Sequence, residues 1–443
     1  MKKNEEYIVQ VESYTIEGLA LAKIGAFVVF IPGLLRGEIA KIALTKVKNN
    51  YAYARVVEIL SASQERVQTK CTIAKLCGGC QLQYMSYKEQ LYLKKEILCN
   101  YFRVNNLSLD VIQDVIASPK IQRYRNKVQV PIQEKKEKAL IGFYRHHSHD
   151  VVVYEDCLLQ TETSNKISKL IKEFLDDNKI VSPFRYLFIR HIHERNELMV
   201  MPIVRSYPFY KAKELAMFLK KKVENIVSFS YLKNDKSTNV ILDGPIYAIF
   251  GPHFMQEKLL DMEFQLSAKS FFQVNPYATK ILYTKALLLA SLTKNDTLVD
   301  LYCGTGTIGI LAAKKVKKVI GIEIVPEAIE NAKKNALING CDNISFWCLD
   351  AKDGAKRIVE EKEKIDVVIV DPPRKGCSLS TLESIMQMKP KRLVYVSCGP
   401  SSLARDLVIL QKMNFHIQLV QPVDMFPYTT HVECIALIQR VKL

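Results

Sequence analysis

Apolar and polar residues alternate in four short stretches near the amino end, at 7–14, 26–31, 38–46 and 51–59, separated by Gly18, Pro32-Gly33 and Asn49-Asn50. Evenly spaced short strands with glycine turns predict a small OB-type barrel over residues 1–62. From 63 to 265 the pattern is mixed: an amphipathic helix near 89–102, strands near 127–133 and 186–193, and a basic helical run around 211–222. Over 266–443 strands alternate with helices, at 297–302, 307–313, 319–323, 326–339, 367–370, 393–397 and 401–412. That alternation predicts a parallel, doubly wound sheet. The chain therefore reads as a multidomain α/β protein with boundaries near 62 and 265.

Composition narrows the partners. The 443 residues carry 63 Lys+Arg against 46 Asp+Glu, a formal charge of +17. That balance favours a polyanion such as RNA. Lys41, Lys46, Lys48 and Arg55 make the barrel basic, while Lys220-Lys221-Lys222 reads as a solvated helix end. No stretch approaches the roughly 18–20 apolar residues of a membrane span, and the start lacks an apolar signal core, so a cytoplasmic protein is expected. Eleven cysteines in a long chain argue for metal binding or catalysis in a reducing compartment and against a disulfide framework.

Four segments near the carboxyl end carry chemistry. Gly304-x-Gly306-x-x-Gly309 lies between an apolar strand and a helix, and Glu323 ends the next strand, where an acid would hold ribose hydroxyls. The glycines alone leave a nicotinamide cofactor and S-adenosylmethionine both open. Asp371, before Pro372-Pro373, ends another apolar strand. Cys398 stands where a strand turns into a helix, a position whose free N–H groups favour a thiolate. Glu433 interrupts an apolar strand, where a carboxylate needs a partner or a task.

Cys71, Cys77 and Cys80, with Cys157 further on, have the spacing of a four-thiolate site for zinc or an iron–sulfur cluster. Cys99, Cys341, Cys348, Cys377 and Cys434 read as packing residues, Cys303 as a loop filler, and His146-His147-x-His149 as an exposed polar turn.

The ordered set of motifs resembles the RNA 5-methyluridine methyltransferase family, in particular its bacterial 23S rRNA branch. The resemblance runs through Gly18-Leu-Ala-Leu-Ala, Val28-Val-Phe-Ile-Pro-Gly33, Gly37-Glu38, Tyr124-Arg-Asn-Lys127, Ser270-Phe-Phe-Gln273-Val-Asn-Pro276, Asp371-Pro-Pro-Arg-Lys-Gly376, Ser397-Cys398-x-Pro400 and Asp424-Met-Phe-Pro427-x-Thr-x-His431-Val-Glu433. It implies an RNA-binding TRAM barrel, a central α+β domain with a [4Fe–4S] cluster on Cys71, Cys77, Cys80 and Cys157, and a class I Rossmann-like methyltransferase domain. By the same resemblance Gln273, Tyr302, Glu323 and Asp371 contact S-adenosylmethionine, Cys398 is the nucleophile and Glu433 the general base. Gly399 departs from the family's usual asparagine. The expected partner is 23S rRNA, with no membrane, and the expected state a monomer. Competing readings are a tRNA substrate, an RNA-binding module with an inactive methyltransferase domain, and a nicotinamide-dependent oxidoreductase.

Overall fold

A computed structural model describes residues 1–146 and 148–440. The chain divides into two compact units, one made of Met1–Lys70, Cys80–Ser118 and Asp371–Leu443, the other of Cys71–Gly79 and Pro119–Val370.

The first unit opens with β1 (Glu6–Tyr14), β2 (Ala20–Ile24), β3 (Phe27–Ile31), β4 (Ile39–Val47) and β5 (Tyr51–Ser61), which close into a barrel in the order β1-β2-β3-β5-β4. Val9, Val11, Ala20, Ala22, Val29, Ile31, Ala40, Ile42, Leu44, Ala52 and Ala54 fill it. Small and branched side chains at alternating positions are what a narrow barrel can accommodate. Sequence alternation missed β2, whose short run sits between two glycine turns. Buried Glu38 takes the Leu35 N–H at 2.8 Å and the Arg66 Nε at 2.6 Å, and so closes the turn before β4. Helix α1 (Tyr87–Val104) is capped by Ser86, whose hydroxyl accepts the Glu89 N–H.

The second unit contains β6 (Lys127–Lys135), β7 (Lys138–Tyr144), β8 (Val151–Val153), α2 (Glu162–Asn178), β9 (Phe184–Ile192), β10 (Glu197–Val204), α3 (Ala212–Lys222), β11 (Ile226–Lys233) and β12 (Ile246–Phe250). These seven strands form one mixed sheet, β12-β11-β10-β9-β6-β7-β8, with β10 and β11 parallel. A hairpin, β13 (Phe254–Leu259) and β14 (Met262–Ser267), and helix α4 (Pro276–Ala290) lead to β15 (Thr297–Leu301), α5 (Thr307–Ala313), β16 (Lys318–Glu323), α6 (Pro326–Ile338), β17 (Ile344–Cys348), α7 (Ala351–Glu360) and β18 (Val367–Val370). Strands β17, β16, β15 and β18 are neighbours in that order and parallel, as the alternation predicts. Every residue of β15 and β18 is buried, the mark of a sheet covered on both faces.

The chain then returns to the first unit with α8 (Leu379–Met388), β19 (Arg392–Ser397), α9 (Pro400–Lys412), β20 (Phe415–Val423) and β21 (Glu433–Arg440). Here β21 lies between β19 and β20 and is antiparallel to both. A fully parallel reading fails at this end because the 424–432 connection is too short for the crossover a parallel pair needs. Of the expected histidine turn, His147 lies outside the described residues, and His149 packs edge-on against Tyr144. Cys99, Cys341, Cys377 and Cys434 are buried as packing residues should be, but Cys348 is exposed on β17. Among the described residues no helix is long and apolar enough to cross a membrane.

Within the first unit a fully buried Lys94 on α1 forms an ion pair with fully buried Asp424, just beyond β20. Lys94 also donates to the Phe426 carbonyl at 2.9 Å, and Tyr87 Oη donates to Asp424 Oδ2 at 2.9 Å. Burial pulls the Lys94 ammonium below its usual pKa, and Asp424 opposes that pull. Removing one member of such a pair strands the other charge, so Lys94→Met is expected to cost about 3–5 kcal/mol in urea unfolding. The Lys94→Met, Asp424→Leu double variant should recover a large part of that loss; an equal or greater loss would show that packing, not charge, dominates there.

Candidate active site

The second unit carries the glycine loop. Tyr302 follows β15 with φ of 65°, a left-handed conformation unusual outside glycine, and Gly304 and Gly306 follow at 54° and 80°. Two carboxylates brace this strained turn. Asp300 Oδ2 accepts the Gly309 N–H at 2.8 Å, and a Cβ at Gly309 would lie 3.1 Å from that oxygen. Glu323, at the end of β16, accepts the Gly304 N–H at 3.1 Å and the Val325 N–H at 3.0 Å. Glu323 therefore shapes the loop while keeping partial exposure, and each oxygen retains a lone pair for a hydroxyl. Cys303 is buried, with its sulfur 3.2 Å from where a Cβ of Gly321 would stand, so it fills the loop as expected. Gln273 is also buried, and its carbonyl accepts from Asn126 Nδ2 at 3.1 Å, which ties the 270–276 segment to the 124–127 segment.

The first unit carries the thiol and two carboxylates. Ser397 pairs with Cys434 at the end of β19, and Val423 pairs with Glu433 at the end of β20. Continuing the antiparallel register places Cys398 beside Glu433. Glu433 is 2% exposed, and its Oε2 has no hydrogen-bond partner among the described residues. Burial pushes its carboxyl up to about 8; negative Asp371 adds to the rise and Arg374 opposes it. Burial alone lifts Asp371 to about 7. Cys398 is half-buried, and burial, then Glu433 and Asp371, push its thiol up to about 11, again against Arg374. The expected thiolate is thus not the resting form: desolvation and two neighbouring acids outweigh the amino end of α9.

A second tier of side chains fixes this group, and sequence spacing missed it. Asp406 Oδ2, fully buried on α9, accepts the Cys377 N–H at 2.8 Å and the Tyr395 hydroxyl at 2.7 Å. Arg405 donates to the Lys375 carbonyl at 2.8 Å. Together they clamp the 371–377 loop. Gly376, at φ of 77°, fits because a Cβ would come 2.6 Å from Asp406 Oδ2. Gly399 caps α9 with no side-chain bond, and a Cβ there would lie 2.8 Å from Ser402 Oγ and 3.1 Å from the Arg374 carbonyl. Position 399 is thus closely packed and leaves little room for a side chain.

Near Cys77 the second unit brings three thiols within electrostatic range. Burial raises the Cys77 thiol, and Cys157 and Cys71 add to the rise. The Gly79 N–H points at Cys77 Sγ from 3.3 Å, a bond that also suits a metal-bound sulfur. Cys80 begins the 80–118 segment of the first unit. Among the described residues no three histidine, cysteine, aspartate or glutamate side chains form a ready ligand set.

The barrel, glycine loop and acid-flanked cysteine define a class: an S-adenosylmethionine-dependent RNA methyltransferase with a TRAM domain. Residues 86–441 match the tRNA (uracil-5-)-methyltransferase family and residues 2–57 the TRAM domain. The chain belongs to the tRNA (uracil-5-)-methyltransferase family. It is 38% identical to an uncharacterized RNA methyltransferase of Halalkalibacterium halodurans, over 99% of this chain and 98% of that one. A second, from Oceanobacillus iheyensis, is 39% identical over 98% and 97% of the two chains. A crystal structure of Pyrococcus abyssi tRNA (uracil-54, C5)-methyltransferase with S-adenosyl-L-homocysteine superposes with a TM-score of 0.77 at 26% identity, covering 97% of this chain and 99% of that one.

The Glu433 shift has a measurable sign. Its folded-state value of about 8 exceeds an unfolded glutamate's roughly 4.3, so between them the native state holds the extra proton. Stability then falls as pH rises through that window, and the cost is absent below it. Glu433→Gln removes the cost. Relative to the wild type the variant should gain stability steadily from about pH 5 to about pH 8 and level off above. Two unfolding curves that stay parallel across this range would contradict the shift.

Proposed function

We propose that this chain methylates C5 of a uridine in 23S ribosomal RNA, acting as a cytoplasmic monomer through a transient bond between Cys398 Sγ and uracil C6. The observation that carries the proposal is the register of β19 against β21, which seats a thiol beside a buried carboxyl in a chain of the uracil-5-methyltransferase family. S-adenosylmethionine supplies an electrophilic methyl group, and Gln273, Tyr302, Glu323 and Asp371 are the residues proposed to hold it.

Uracil C5 is a weak nucleophile. Cys398, part-exposed, gives its thiol proton to solvent, the thiolate adds to C6, and the resulting enolate makes C5 nucleophilic toward the methyl group. Glu433, in its ionised form, then takes the C5 proton. Elimination restores the C5–C6 double bond and frees the Cys398 sulfur. Arg374, which lowers the proton affinity of both Cys398 and Glu433, favours the ionised forms that the reaction needs. A second reading, a tRNA substrate, is favoured by the likeness to the Pyrococcus abyssi tRNA (uracil-54, C5)-methyltransferase. Mapping 5-methyluridine in rRNA and tRNA from cells with and without the protein separates the two.

We also propose that Cys71, Cys77, Cys80 and Cys157 hold a [4Fe–4S] cluster in a central domain of residues 63–265, between a barrel domain at 1–62 and a methyltransferase domain at 266–443. The mutual influence of three of the thiols and the Gly79 N–H at Cys77 support this. When bound, the cluster would supply a structural cross-link, since methyl transfer by the thiol route needs no electron transfer. Protein purified without oxygen is expected to contain about four irons and four sulfides per chain, and Cys77→Ser to lose them with its thermal stability. Stoichiometric zinc without iron would refute the cluster.

Cys398→Ala should abolish turnover with S-adenosylmethionine binding nearly unchanged, and 5-fluorouridine RNA should trap an adduct on Cys398 in the wild type. Glu433→Gln should instead accumulate a methylated covalent protein–RNA complex. An adduct mapped by mass spectrometry to Cys303 or Cys377 would overturn the assignment.

A further inference from the structure

Strand β11 is buried over nearly its whole length, yet it reads Ile226-Val-Ser-Phe-Ser-Tyr-Leu-Lys233, with two serines in an otherwise apolar interior. Alternation puts Phe229 and Tyr231 on one face, in the core shared with α2 and α3, and Ser228, Ser230 and Leu232 on the other. Leu232 packs there with Met199, Met255 and Ala268, so the two serines face the β13–β14 hairpin. Their small side chains do not fill the gap between sheet and hairpin. A cavity of about 160 Å³ remains, walled by Met199, Ser228, Ser230 and Ile246 from the sheet and by Phe254 and Ser267 from the hairpin.

The polar groups around this space are unevenly committed. Ser228 Oγ donates to the Pro252 carbonyl at 2.7 Å, and Ser267 Oγ lies 3.0 Å from Ser270 Oγ. Ser230 is 7% exposed, and its hydroxyl has no hydrogen-bond partner among the described residues. A hydroxyl so buried and unpaired is costly unless something from outside the chain completes it. A leucine at 230 would fill the space, whereas serine keeps it open at a cost in packing. At the mouth stand Lys269 and Glu327, both exposed and neither in an ion pair among the described residues. One small, mostly apolar space is thus served by a free hydroxyl inside and by a cation and a carboxylate at its rim.

We propose that this cavity receives a pyrimidine nucleotide, in or out of an RNA chain, at a site separate from the thiol and from the cofactor loop. A cavity of roughly 150 Å³ admits one benzene-sized ring, so a single six-membered ring fits and a fused pair does not. The ring packs against Phe254 and Met199. Its polar edge offers carbonyl and N–H groups to Ser230, which donates and accepts, and to Ser228, which accepts with the lone pairs its own bond leaves free. Glu327 takes ribose hydroxyls and Lys269 the phosphate. None of these residues is among those proposed for methyl transfer, and only the RNA source of the nucleotide rests on that reading.

The test titrates the full-length chain, saturated with S-adenosyl-L-homocysteine, with uridine 5′-monophosphate, adenosine 5′-monophosphate, uridine and a short oligouridylate by calorimetry. Uridine monophosphate should bind at least tenfold more tightly than adenosine monophosphate. Ser230→Ala, which removes the hydroxyl and leaves the space, should weaken it by about tenfold. Ser230→Leu, which fills the space, should abolish binding with an equal or higher Tm, whereas a serine of purely structural use would give a lower Tm. Lys269→Gln should weaken uridine monophosphate about tenfold and leave uridine unchanged, because uridine has no phosphate for the ammonium to meet. An oligouridylate that binds through Ser230 establishes RNA as the source; one that does not bind overturns that source and leaves the free nucleotide. The proposal fails if uridine monophosphate does not bind, if excess S-adenosyl-L-homocysteine displaces it, or if adenosine monophosphate binds equally. It also fails if the folded Ser230 variants bind as the wild type does. A wild type that binds uridine monophosphate here yet methylates no RNA would refute the proposed function and leave this site standing.

Discussion

A charge pair with no access to water sets the geometry of the unit that holds the reactive thiol. Lys94 and Asp424 are both fully buried, and around them converge Tyr87, the Phe426 carbonyl and the Phe426 N–H. Such a pair contributes little net stability, because desolvation consumes the attraction. It does impose a strict condition: each charge must find the other, since among the described residues neither has another charged partner. The 424–432 segment is thereby tied to α1. Tyr428 adds to the tie, its N–H donating to Gln90 Oε1 at 2.8 Å. Val423 and Glu433, at the two ends of that segment, are held face to face by the strand register, so the position of the carboxyl beside Cys398 follows from a lysine on a distant helix.

The electrostatics of the site follow from burial and from a shortage of nearby cations. Buried Glu433 and the part-buried Asp371 and Cys398 share one corner, and Arg374, itself exposed, is a cation that acts on both Glu433 and Cys398. Each group is shifted toward its neutral form. The clamp from Asp406 and Arg405 matters here because it holds the loop that carries both Asp371 and Arg374, one raising and one lowering the proton affinity of the thiol. A small displacement of that loop would alter two opposing influences together.

Much of this was legible in the sequence where turns are marked and chemistry is local. The seven elements expected over 297–412 appear within a residue or two of their limits, because glycines, prolines and short apolar strands bound them, whereas β17, α7, α8 and β20 were not read. The central region was legible only in part: α1, β6, β9 and α3 lie where the pattern predicts them, but β10 and β11 are buried over nearly their whole length, and their continuous apolar runs carry no period to distinguish strand from helix. Cys398, Asp371 and Glu433 stand out because a reactive or charged residue in an apolar strand end is conspicuous. Lys94, Tyr395 and Asp406 do not, since a lysine or aspartate on a helix looks solvent-facing until its partner is placed. Reading a thiolate from the helix end failed for a related reason: the acids that oppose it come from other strands.

The first unit is discontinuous, assembled from Met1–Lys70, Cys80–Ser118 and Asp371–Leu443, with most of the second unit inserted between its parts. During synthesis the barrel can close as soon as its five strands emerge, and the inserted residues can collapse next. Lys94, however, leaves the ribosome long before Asp424 exists. Until the last strands arrive, Leu93 and Ile97 of α1 can pack against Tyr14, Leu35 and Met85, but Lys94 stays an unpaired cation, and its burial waits on a long-range closure of the kind that slows folding. The half of the protein with the reactive cysteine is thus completed last, so an incomplete chain would have a formed barrel but no thiol–carboxyl pair.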